Sequence, residues 1–149
     1  MTTQQVVDAL EAWSKFVVPA FSSYDHTPEA TDTALPIVIA EIQQDAVSSG
    51  GRGEGGKLQQ VTQLPNARLW QVQLLILVSP DPPATASSAL YGYVDLLGQS
   101  LRTDSTLGYR VPVALPGYKA DYTPAEVEIG DGLIARAVRF ELTVAEQVA

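Results

Sequence analysis

From Leu133 to Val144 apolar and polar residues alternate: Val138, Phe140, Leu142 and Val144 share one side, Arg139, Glu141 and Thr143 the other. A period of two marks a half-buried antiparallel strand, because successive side chains of an extended chain point to opposite faces. Such a strand needs a neighbour for its backbone hydrogen bonds and a second layer over its apolar side. Glu126-Val-Glu-Ile129 supplies a neighbour, joined through the turn residues Gly130-Asp-Gly132, and the pair is expected to form the closing hairpin. A second segment, Leu69-Trp-Gln-Val-Gln-Leu-Leu-Ile-Leu-Val78, alternates in its first half and is apolar on both faces in its second. That pattern belongs to a central strand, or to one whose second face is also covered.

The remaining segments supply the second layer. Thr2-x-x-Gln5 has the form of a capping box, and Val6, Leu10, Trp13 and Val17 follow at helical spacing with Phe16 alongside, until Pro19 ends the pattern. Phe21–Ala34 is polar and reads as a surface loop; Leu35–Ile42 is β-branched and reads as a strand with Pro36 at its start or on an edge. Between the strands Leu35–Ile42 and Leu69–Val78 runs Ser48-Ser-Gly-Gly-Arg-Gly-Glu-Gly-Gly56, so a long Gly-rich hairpin arm is expected over about residues 43 to 67. Asp81-Pro-Pro83 suits a helix start, and Ala86–Leu101 sets Leu90, Val94, Leu97 and Leu101 on one stripe. Thr103–Pro124 reads as irregular, with a short strand at Tyr109–Leu115. The expected fold is α+β: a two-layer sandwich of order α-β-β-α-β-β. Two helices lie on one face of a mostly antiparallel sheet, in a single domain over residues 1–149.

Composition removes most chemistries. There is no cysteine and one histidine, His26, which excludes disulfides, thiol nucleophiles and the usual zinc constellations. No apolar run approaches the roughly 20 residues of a membrane helix, and Asp8 and Glu11 interrupt the first apolar pattern, so a soluble cytosolic product is expected. Nine basic against seventeen acidic residues give a formal charge of −8, and the cations are scattered, which argues against direct nucleic-acid binding. Gly51-x-Gly53-x-x-Gly56 matches the dinucleotide fingerprint in letters only, since no strand runs into it and no helix follows. Glu126 and Glu128 share a strand face beside an exposed turn with no partner base; His26 sits in a polar loop without a nucleophile elbow. Trp13 and Trp70 read as core. No set of nucleophile, base and oxyanion donors emerges, so an interaction module that uses no cofactor is expected, not an enzyme.

Taken together, the helix Thr3–Val18, the strand Leu35–Ile42 with its polar arm, the strand Leu69–Val78 ending at Ser79-Pro-Asp-Pro, the helix Ala86–Leu101 and the hairpin Glu126–Val144 resemble the tail terminator family of long-tailed phages. The resemblance is one of element order and size, over nearly the whole chain. It implies a virion protein, assembled in the host cytoplasm, that caps the tail tube as a ring, ends tube polymerisation and joins tail to head. Implied partners are further copies of the chain (a hexamer), the tail tube protein and a neck protein, with no membrane and with DNA only as cargo through the lumen. Two helices cover one sheet face, which leaves Leu69, Leu75 and Leu77 on the other in need of a cover. With these leucines, Arg52, Glu54 and Lys57 of the arm and Arg136, Arg139 and Glu141 of the last strand are the candidate subunit contacts. Other readings of the same pattern are a different neck or connector ring protein, a non-viral interaction domain, or a small enzyme drawing on Glu126, Glu128 and His26.

Overall fold

A computed structural model describes residues 1–23, 35–47, 67–123, 126–129 and 133–147. The long arm's glycine run, with Arg52, Glu54 and Lys57, and the loop holding His26 lie outside the described residues. Helix α1 (Thr3–Val17) starts at a complete capping box: the Thr2 hydroxyl accepts from the Gln5 amide and the Gln5 side chain accepts from the Thr2 amide. The elements after it are β1 (Ser22–Ser23), β2 (Ile37–Val47), β3 (Ala67–Val78), α2 (Pro83–Thr103), β4 (Val113–Tyr122), β5 (Val127–Ile129) and β6 (Leu133–Gln147). The four long strands lie in the order β2-β3-β6-β4, all antiparallel. The fold is therefore α+β, and its two helices and four principal strands run α-β-β-α-β-β. The short β1 adds a parallel pairing to the outer edge of β2, and β5 pairs with β6.

Both helices pack on one face of the sheet, α1 chiefly over β2 and α2 over β4, β6 and β3. Alternation does the sorting. Trp70, Val72, Leu74 and Ile76 of β3 and Val138, Phe140, Leu142 and Val144 of β6 all point toward the helices and are buried with Val6, Leu10, Trp13, Leu90, Leu97 and Leu101. Polar contacts then fix α1 on the sheet. Arg68 donates from Nε and Nη2 to Asp45 at 3.1 and 2.7 Å and from Nη2 to the Thr3 hydroxyl at 2.9 Å, with its guanidinium 4.6 Å from the Trp70 ring centroid. The Arg68 hydrogen bonds hold the Asp45 carboxyl below its ordinary value. Trp13 Nε1 donates to Ser100 Oγ at 3.0 Å and joins the two helices.

Three features depart from the sequence reading, two of them element boundaries. The β2–β3 pairing continues past Ile42 through a bulge to Val47 opposite Arg68, so part of the expected arm is ladder. Polar residues there are tolerated because this end of β2 is an edge with one solvated face. The segment expected to be irregular with a strand at Tyr109–Leu115 instead carries β4 over Val113–Tyr122, interrupted by an irregularity between Ala114 and Tyr118 that absorbs Pro116 and Gly117. β4 is an edge strand, where a residue without an N–H does least harm.

The third departure concerns the face away from the helices. It carries Leu69, Leu75 and Leu77 as expected, but not as an exposed apolar patch. Leu69 is fully buried with Ala67 and Ala145, and Leu77 with Ile37, Ile39, Ala135 and Ala137, while Leu75 is half-buried. Between these two clusters the register aligns Glu41, Gln73, Glu141 and Lys119 in one row across all four strands, with Gln71 and Thr143 beside it. The face is a polar band between two apolar ends. It does not demand a neighbour to cover its leucines.

Candidate functional site

Phe16, Leu96 and Tyr109 are large exposed apolar residues on the helix side, around the point where α2 passes into β4. Asp104 caps the end of α2 and organises the chain that follows. Its Oδ1 accepts from the Thr106 amide at 2.9 Å and the Thr106 hydroxyl at 2.7 Å, and its Oδ2 from the Gly108 amide at 2.8 Å. The Thr106 hydroxyl in turn accepts from the Tyr109 amide at 3.1 Å. These bonds, led by the Thr106 hydroxyl, hold the Asp104 carboxyl below its ordinary value. Inside this cage Leu107, Gly108 and Tyr109 take φ of +52°, +70° and +63°. Glycine adopts such angles freely, whereas a residue with a Cβ is strained there by roughly 1–2 kcal/mol. Leu107 is driven into the helix core and the next two residues turn outward.

The outward turn leaves Tyr109 94% exposed. Nearby Phe16 of α1 is 72% exposed, with the Arg110 guanidinium 4.9 Å from its ring centroid; Arg110 Nη1 donates to Leu107 O at 3.0 Å, which fixes that stack in place. A groove of about 370 Å³ runs between the helices beside this stack, lined by Trp13, Phe16, Leu96, Ser100, Leu107 and Arg110 among others. The cage that caps α2 and seats Leu107 in the core also holds Tyr109 in water, and the stacked arginine covers the exposed Phe16. Backbone strain of this kind accumulates at functional positions. Aromatic rings and arginine around a groove are the side chains that dominate protein–protein contacts.

A second aromatic patch occupies the other side of α2. Tyr91 is 54% exposed and meets Tyr122 of β4 edge-to-face at 5.2 Å between centroids. Asp95, one helical turn along from Tyr91, is exposed; burial, and after it the charge of Asp95, raises the Tyr122 hydroxyl above its ordinary value.

The residues named from sequence are dispersed. Arg139 and Glu141 lie on the polar band: Arg139 is exposed opposite Asp121, and Glu141 accepts from Gln71 Nε2 at 3.4 Å. Arg136 falls on the helix side of β6; its Nη2 donates to Thr123 O at 3.4 Å, and its buried Nε has no partner among the described residues. Leu69 and Leu77 are inside the molecule, so neither is available as a contact. Glu126 and Glu128 are exposed, and no group of three or more His, Cys, Asp or Glu residues suited to a metal occurs among the described residues. Trp13 and Trp70 are core, as read. Sequence reasoning passed over Tyr109, Arg110 and Asp104. Their signal was Asp104-Ser-Thr106 followed by Leu107-Gly108, a side-chain turn at a helix end with a glycine beyond it, obscured by the neighbouring β-prone residues that suggested a strand. Comparison of the chain with known protein families and with curated proteins finds no match to either.

Proposed function

We propose that this chain is a structural assembly protein, a tail terminator that caps the phage tail tube as a ring and joins the tail to the head. The observation that carries the assembly half is the groove patch of Phe16, Leu96, Tyr109 and Arg110. Its exposed apolar groups stand beside an arginine, with Tyr109 on a left-handed backbone, and side chains of these types dominate protein–protein contacts. The terminator half rests on the resemblance in element order. The α-β-β-α-β-β order of helices and principal strands is common to both halves of the reading.

Several partners fit this role: further copies of the chain, the tube protein below and a neck protein above. The formal charge of −8 suits a ring through which DNA passes without adhering, since acidic walls repel phosphates. Deleting the gene tests the proposal. Loss of the chain is expected to give tails of uncontrolled length that fail to join heads; tails of normal length in its absence would refute the terminator role.

A further inference from the structure

We infer that the surface between α2 and β4 takes an arginine side chain of a different, basic protein, held by the Asp95 carboxylate within a frame of Tyr91, Tyr118 and Tyr122. The inference rests on the assembly reading above and names the chemistry of one partner. Tyr91 stands one helical turn before Asp95, which puts their Cβ atoms about 5–6 Å apart. Tyr122 closes against Tyr91 edge-to-face at 5.2 Å. On the other side Tyr118 lies across Gly98, so closely that a Cβ on Gly98 would come within 2.7 Å of its ring. Stacking on Phe140 fixes the Tyr118 ring from below. Asp95, Tyr118 and Tyr91 all act electrostatically on the Tyr122 hydroxyl, so the four groups share one neighbourhood.

Asp95 is exposed and has no salt-bridge partner among the described residues. Arg102, the only cation of α2, comes two turns later, about 10 Å along the axis. Lys119 pairs with Asp121 at 3.3 Å, and Arg136 donates to Thr123 O. An unpaired carboxylate among tyrosine rings attracts a cation twice over, by its charge and by the negative faces of the rings. A guanidinium suits it better than an ammonium. It is flat enough to lie on a ring face while its in-plane N–H groups reach a neighbouring carboxylate, whereas an ammonium is a compact point charge that holds its water. The site is open surface, and small ligands bind where most of their own surface is buried, so the cation is one that a larger partner delivers. A second copy is a poor donor. The chain carries −8, and its Arg68, Arg110 and Arg136 are each engaged by their own chain.

NMR titration of the full chain with blocked tripeptides, glycine–arginine–glycine and its lysine and citrulline counterparts, tests the site. The arginine peptide is expected to move the ring resonances of Tyr91, Tyr118 and Tyr122 saturably, with a Kd on the order of millimolar. It should bind about threefold or more tighter than the lysine peptide. Citrulline, which keeps the shape without the charge, is expected not to bind. Asp95→Asn and Tyr91→Ala should each weaken binding by about fivefold or more, with Tyr91→Phe tighter than Tyr91→Ala because it keeps the ring. Asp8→Asn, which removes the same charge from an exposed position on α1, should leave binding unchanged. Tyr91 and Asp95 are both exposed, so the fold tolerates these changes. Equal binding of arginine and citrulline, or equal loss in Asp8→Asn and Asp95→Asn, would overturn the inference. So would tetramethylammonium binding more tightly than the arginine peptide, which would assign the site to a free cation. Self-association abolished by Asp95→Asn would assign it to a second copy and overturn it too. A site that fails while deletion still gives overlong tails leaves the terminator role standing. A site that holds while tails keep normal length leaves an arginine-binding surface and removes the terminator.

Discussion

Asp104 concentrates the argument at the scale of single residues. Its carboxylate is favoured by three donors in the folded chain, so its folded value lies below the ordinary 3.8. A depressed value means that the ionised form stabilises the loop. That contribution is complete above 3.8 and is lost as pH falls through the lower folded value. The amide resonances of Thr106 and Gly108 are expected to hold steady from neutral pH to about pH 4 and to move together below it; Asp104→Asn should abolish that step. Tyr109 supplies a paired test. Relieving its positive φ with Tyr109→Gly is expected to raise the stability of the monomer by about 0.5–1 kcal/mol, read by urea denaturation, because glycine has no Cβ to strain. The same substitution removes an exposed ring and should weaken self-association. Loss of stability in this variant would show that the left-handed backbone costs less than the unfolded-chain entropy that glycine adds. At this scale little of the site was legible in the sequence. Thr103–Pro124 reads as irregular with a short strand beginning at Tyr109, and only the hydrogen bonds from Asp104 reveal that the chain turns at Leu107, Gly108 and Tyr109.

Elements were read more successfully, where one periodicity ran long enough to be unambiguous. The capping box at Thr2, the proline start of α2 and the inward set Val138, Phe140, Leu142 and Val144 stand as the sequence reading has them. β4 was misjudged because its pattern is broken by Pro116 and Gly117, and the irregularity that accommodates them leaves no period to read. Thr2→Ala removes one half of the α1 cap and is expected to cost about 1 kcal/mol in thermal or chemical denaturation. The two glycines of α2 should behave differently. A Cβ on Gly92 meets nothing within 4 Å, so Gly92→Ala should gain about 1 kcal/mol of helix propensity. A Cβ on Gly98 comes within 2.7 Å of the Tyr118 ring, itself stacked on Phe140 at 4.8 Å. Displacing that ring offsets the gain, so Gly98→Ala should be less stable than Gly92→Ala by about 1 kcal/mol or more. Equal stabilisation by both would show that Tyr118 moves aside freely.

At the scale of the whole molecule the fold class follows from the alternation of β6 and the doubly apolar β3, because a sheet with one greasy face and two amphipathic helices have few other ways to combine. The surface that an assembly would use does not follow from it. Sequence logic assigned that role to Leu69, Leu75 and Leu77, but the face they share buries two of them and crosses its centre with Glu41, Gln73, Glu141 and Lys119. A strand pattern tells which side a residue takes and not what else covers that side. The helix side displays Phe16, Tyr91 and Tyr109 to solvent. An assembly built from these groups places helices, not the open sheet face, at its joints. Imaging the head–tail junction of the virion, with the chain tagged and its symmetry counted, tests whether the chain forms the ring proposed for it. A closed ring of identical copies at the end of the tail tube is the result expected. Tagged density elsewhere in the particle, or a junction without it, would contradict the account.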